Sequence, residues 1–151
     1  MGMPIERRLG HHIKRAEQEV IAAKHAALRP FKLSTPQYTV LLALQEEPGL
    51  SGAVLARRCL VTPQTMSSVL STLEGRGLVE RKPHPIHSHI LEARLTRSGR
   101  ALLAKADVEV TTVEEALRAE LSEEEQRLLV GLLARCTGAL AGFRDPKAAG
   151  R

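Results

Sequence analysis

The sequence predicts a mainly α-helical protein, a winged helix-turn-helix with flanking N- and C-terminal dimerisation helices. Composition is the first reason. The chain is 43% hydrophobic but only 2% aromatic, so its core must be built from Leu, Val and Ala, which favours helices. The second is a pair of capped segments, SGAVLARRC and VTPQTMSSVLSTLEGRG, joined by the short link Leu60-Val61, as in a helix-turn-helix. The third is the pair LVERK and ILEARL, around 78–82 and 90–95, which read as the two strands of a wing. At 151 residues the chain suits one domain, or one domain with an attached dimerisation element.

The elements follow in order. From about Ile5 to Leu28, apolar residues recur at Leu9, Ile13, Ala16, Val20 and Ala23, spacings of three and four that mark a helix. Pro30 ends it. Ser34 or Thr35 can cap the next helix, and Pro36 suits its first position. Val40, Leu41, Leu42 and Leu44 bury that helix on much of its surface, and Pro48 and Gly49 stop it. Ser51 caps a short helix to about Cys59. Thr62 caps the next, with Pro63 first and Gly77 just past the end. Its apolar face, Met66, Val69, Leu70 and Leu73, has the i, i+3, i+4, i+7 spacing of an amphipathic helix. Leu91, Ala93 and Leu95 alternate with Glu92 and Arg94 as in a half-buried strand. Thr96 caps a long helix over roughly 97–120. Ser122 with Glu125 makes a capping box for a last helix carrying Leu128, Leu129, Leu132, Leu133, Cys136 and Leu140. The tail from about Asp145 is small and polar and is expected to fray. The expected domains are residues 33–100, binding DNA, and residues 5–30 plus 101–144, forming the dimer.

Charge points to a polyanion. The net charge is +5, and residues 51–100 hold eight Lys/Arg against three Asp/Glu. A basic centre between neutral and acidic flanks suits a partner rich in phosphates. The helix after Thr62 adds a second sign. Its polar face shows Gln64, Thr65, Ser67, Ser68, Ser71 and Thr72, with no Lys or Glu between Thr62 and Leu73. An ordinary solvated helix face is rich in both. Short uncharged side chains let a helix enter the major groove, where Gln can bond adenine N6 and N7 together and Ser or Thr can bond several base edges. Gln64, Thr65, Ser67 and Ser68 are therefore expected to read bases. Ser34, Thr35, Ser51, Arg57, Arg58, Ser71, Thr72, Arg76, Arg81 and Lys82 are expected to contact phosphate or groove, setting register and affinity but not sequence. Any one of these arginines could equally pair with Glu74 or Glu80.

Other classes fit poorly. The sequence contains no glycine-rich phosphate loop, G-x-S-x-G, H-E-x-x-H or C-x-x-C motif, so an enzyme and a cofactor are not expected. No apolar run reaches the roughly 18 residues of a membrane span. Glu6, Arg7 and Arg8 precede no apolar stretch, so a cytoplasmic protein is expected rather than a secreted one. Cys59 and Cys136 are expected to be small buried hydrophobes in a reduced compartment. The wing tip, PHPIHSH over 83–89, leaves two alternatives open. His84, His87 and His89 could make a metal-responsive site, although an exposed wing offers little to orient the ligands. The winged domain could also bind a protein instead of DNA.

The pieces LARR at 55–58, VTPQTMSSVLSTLEGRGLVER at 61–81 and LTRSGRALL at 95–103 occur in the order and spacing of the MarR family of transcriptional regulators. The chain closely resembles that family over about residues 33–103. The resemblance implies a triangular homodimer in which the first helix and the last two interlock across the two-fold. It implies that the 62–76 helix enters a major groove and the wing, His84, His87, Ser88 and His89, the neighbouring minor groove. It also implies a small-molecule or redox effector that relieves repression. The family's wing commonly carries Asp-x-Arg, where this chain has His87 and His89. The expected function is a homodimeric, sequence-specific, ligand-responsive repressor of an inverted-repeat operator.

Overall fold

The computed structural model describes residues 2–144, and the expected fraying tail from Asp145 lies outside them. Six helices and three strands are present among these residues: α1 (Leu9–Leu28), α2 (Thr35–Glu46), β1 (Leu50–Ser51), α3 (Gly52–Arg58), α4 (Pro63–Gly75), β2 (Val79–Pro83), β3 (Leu91–Leu95), α5 (Arg97–Ala119) and α6 (Glu123–Ala141). This is the winged-helix order that the sequence predicts, with the differences concentrated at the element ends. The expected first helix, beginning near Ile5, is divided. A 3-10 turn over Ile5–Arg7 comes first, and extended Arg8 separates it from α1. After α1, Arg29–Phe31 form a second 3-10 turn around Pro30. The wing pair gains a third strand, because β1 joins it in the order β1-β3-β2 with both pairings antiparallel. Pro83 is the last residue of β2 and not part of the connection. An edge strand tolerates a proline because one row of its N–H groups needs no partner.

The helix starts are built as their residues dictate. Ser34 Oγ accepts the Gln37 N–H and Gln37 Oε1 accepts the Ser34 N–H, a closed capping box for α2. Ser51 accepts from Val54 N at the start of α3, and Thr62 accepts from Thr65 N at the start of α4. Thr96 caps α5, its Oγ1 accepting from Gly99 N at 3.0 Å and donating to the Gly77 carbonyl at 2.7 Å. Between α3 and α4 the chain turns through Leu60 at φ 56. That left-handed conformation costs a branched residue about 1–2 kcal/mol, and it leaves the Leu60 side chain 91% exposed.

The chain divides into two compact units, one ending at Val113 and the next beginning at Glu114. The first holds the core. Leu28 from α1, Val40, Leu41 and Leu44 from α2, Leu55 from α3, Met66 and Leu73 from α4, Val79 from β2 and Leu103 from α5 are all essentially buried. A polar tie joins α2 to α5 beside this core, from Tyr38 Oη to Asp107 Oδ1 at 2.5 Å. A hydrogen bond to a carboxylate is one of the stronger kinds, and this one fixes the register of α2 against α5. In the second unit, Ser122 and Glu125 close the predicted capping box, and Gln126 Nε2 donates to the carbonyls of Arg118 and Leu121. No residue of α6 is buried. Leu128, Leu129, Leu132, Leu133 and Leu140 stand 42–60% exposed. On α1, Leu9 and Ile13 of the predicted apolar stripe are also open, at 72% and 39%.

Both cysteines are half-buried and free. Burial pushes the Cys59 thiol above its ordinary pKa, and the Arg58 guanidinium beside it offsets this only in part. A raised pKa leaves less reactive thiolate. In a Cys136→Ser background, Cys59 should therefore alkylate with iodoacetamide at pH 8 more slowly in the folded protein than in urea. Equal rates would show that the folded chain leaves this thiol unprotected.

Candidate nucleic-acid interface

The surface around α4 assembles from local rules. Met66, Val69, Leu70 and Leu73 are driven into the core, and the 3.6-residue period then turns the intervening residues outward. Gln64, Thr65, Ser67, Ser68, Ser71 and Thr72 are all exposed. One continuous polar face results, free of charged side chains from Thr62 to Leu73. Thr62 also donates its hydroxyl to Thr65 Oγ1 at 3.0 Å, which fixes the Thr65 rotamer at the helix start. The amide groups of this first turn concentrate positive potential there.

The cations expected to meet phosphates divide into three kinds. Arg57 is exposed and makes no ion pair among the described residues. Arg58 is paired with Glu47, Arg81 Nε donates to Glu74 Oε2 at 2.6 Å, and Lys82 Nζ lies 3.5 Å from Glu80 Oε1. Each of these cations would have to exchange a carboxylate for a phosphate. Arg76 differs from both groups. Its guanidinium donates to the backbone carbonyls of Lys32 at 2.7 Å and Phe31 at 3.1 Å, so it clamps the end of α4 to the turn after α1. Ser34, Thr35 and Ser51 are half-buried at the starts of α2 and α3. The Ser34 and Ser51 oxygens accept helix amides, which leaves their hydroxyl hydrogens available to donate.

The wing holds the rest. His87, Ser88 and His89 are exposed at its tip, with Ile86 beside them at 80% exposure. His84 is the half-buried histidine of this tip. Among the described residues, no group of three His, Cys, Asp or Glu side chains is arranged to hold a metal ion. Nor is any helix long and apolar enough to cross a membrane.

An uncharged helix face flanked by cations, with an antiparallel wing beside it, defines a winged-helix protein that meets nucleic acid. The chain belongs to the MarR family. A model described as MarR family matches residues 31–87. The chain is 37% identical over 127 residues to the HTH-type transcriptional repressor Rv2887 of Mycobacterium tuberculosis, covering 84% of this chain and 91% of that one. Among solved structures it resembles the transcriptional repressor CouR bound to a 23-mer DNA duplex. The TM-score is 0.81 at 29% identity, over 91% of this chain and 99% of that one. It also resembles Rv2887 in complex with salicylic acid, with a TM-score of 0.65 at 37% identity, over 85% of this chain and 96% of that one. The protein is a DNA-binding transcriptional regulator of this family.

Proposed function

We propose that the protein is a cytoplasmic, homodimeric repressor that binds an inverted-repeat operator and releases it when a small molecule binds. It carries out no chemistry of its own. Residues 33–100 read the DNA, and residues 5–30 with 101–144 make the dimer. The observation that carries this reading is the exposed, uncharged polar face of α4, held rigid by four buried apolar residues behind it. Gln64, Thr65, Ser67 and Ser68 read base edges, with Ser71 and Thr72 lining the groove further along. Arg57 is the readiest phosphate contact, since among the described residues it has no carboxylate to give up. Arg58, Arg81 and Lys82 join on release from Glu47, Glu74 and Glu80. Arg76 acts chiefly by holding α4 in place, and the half-buried hydroxyls of Ser34, Thr35 and Ser51, at the starts of α2 and α3, donate to the phosphate backbone. Support for the ligand-responsive part is the likeness to a repressor solved with salicylic acid.

Two substitutions separate reading from holding. Gln64→Ala should cost about 1–3 kcal/mol on the operator and relax the preference at one position. Arg57→Ala should weaken operator and random DNA alike and lower the dependence of log affinity on log salt by about one. Fluorescence anisotropy with both duplexes across salt concentrations measures the two effects. Equal losses on operator and random DNA for Gln64→Ala would remove Gln64 from the base-reading set.

A further inference from the structure

His84 stands apart from the other two wing histidines. Its Nδ1 accepts the backbone N–H groups of both Ile86 and His87, each at 3.1 Å. Its own amide donates to the Ile90 carbonyl, and Ile90 donates back to the His87 carbonyl, each at 2.8 Å. The His84 ring stacks on His87 with centroids 5.3 Å apart and planes inclined by 27°. His87 in turn meets His89 edge-on at 6.1 Å. On its far side, His84 Nε2 lies 3.6 Å from Glu92 Oε1 on β3. An imidazole here does what an Asn or Asp side chain does in a turn, accepting the amide two residues on.

We infer that His84 is the positioning residue of the wing: its Nδ1 closes the tip around the amides of Ile86 and His87 and so presents Ile86, His87 and His89 in one fixed arrangement. The inference rests on the proposed function, together with the minor-groove contact that the family resemblance implies for this tip. Its value lies in preorganisation. A wing that must be ordered on binding keeps only that share of its affinity that equals the fraction of time it spends in the competent form. The same contact bears on metal binding. With Nδ1 already occupied by two amides, His84 could ligate through that atom only by dismantling the turn.

Three variants at this position test the inference. In His84→Asn the amide oxygen falls where Nδ1 now lies, so the acceptor is kept. In His84→Gln the polar group moves out toward the Nε2 position, and in His84→Ala it is lost. Hydrogen exchange of the Ile86 and His87 amides in free protein reads the turn, and anisotropy with operator duplex reads the binding. The expected result is slow exchange and near wild-type affinity for His84→Asn. For His84→Ala and His84→Gln, fast exchange and a loss of about tenfold are expected, as for a wing that is competent about a tenth of the time. Wild-type exchange and affinity in His84→Ala would overturn the inference. So would fast exchange with unchanged affinity, which would show that ordering the tip does nothing for DNA. Failure of the wild-type protein to bind any duplex would instead sink the proposed function, and the exchange measurement, which needs no DNA, would still decide whether His84 holds the turn.

Discussion

Gly99→Ala should be among the most destabilising single changes in this chain. A Cβ at that position would lie 2.0 Å from the Leu78 carbonyl oxygen and 3.0 Å from its carbon, where even a close C···O contact needs about 3.3 Å. The obstacle is backbone, so no rotamer change relieves it. The Leu78 oxygen is also held from the other side, accepting the Thr96 N–H at 3.1 Å. This knot joins the start of β2 to the start of α5. Alanine would gain about 1 kcal/mol of helix propensity. Overpacking ordinarily costs about 1–3 kcal/mol and more where nothing can move, so the clash wins. A net loss of about 2–3 kcal/mol or more is expected, seen as a fall in Tm of roughly 10 °C. Gly75→Ala is the control, because nothing lies within 4 Å of its added carbon. It should melt at or slightly above wild type. A Gly99→Ala protein that melts like wild type would show that α5 and β2 do not approach as described.

Leu129→Lys with Leu133→Lys should convert a dimer into a folded monomer. Both side chains are 42–43% exposed in the single chain, and α6 buries none of its residues. Neither leucine belongs to the buried core, so lysines there leave that core intact. An apolar row of this size needs a partner to leave water, and a two-fold copy of the same surface is the commonest solution among soluble oligomers. Sedimentation should show half the wild-type mass with helical content retained. Operator affinity should fall about 100-fold or more, because two linked half-site contacts become two independent ones. A variant that remains dimeric would place the two-fold contact elsewhere.

The parts legible in the sequence are those with a local cause. Thr62, Pro63 and the spacing of Met66, Val69, Leu70 and Leu73 defined α4 completely, and its outward face followed from the same period. Gly49 and Gly77 marked turns, and both carry positive φ, at 87° and 69°. β1 went unseen because two residues carry no alternation. The left-handed Lys32 and Leu60 gave no signal, since neither is a residue type that favours that conformation. Arg76 reads in the sequence as a phosphate contact; its bonds to carbonyls 44 and 45 residues away in the chain span a distance that no local pattern encodes. Gly99 was visible only as a letter in LTRSGRALL, because its need for no side chain arises from the Leu78 carbonyl. By composition alone His84 groups with His87 and His89. Only the geometry of the tip separates the acceptor that organises the wing from the rings it displays.

The central claim is that α4 reads DNA sequence from a two-fold dimer. Selection of binding sites from random duplexes, followed by anisotropy on the winning sequence from 50 to 200 mM salt, tests it most directly. The expected product is an inverted repeat whose half-sites lie about one DNA turn apart, roughly 10–10.5 bp centre to centre. It should be bound about a thousandfold or more tightly than random DNA, with affinity falling steeply as salt rises. A selection that converges on no sequence, together with affinity indifferent to salt, would contradict the account.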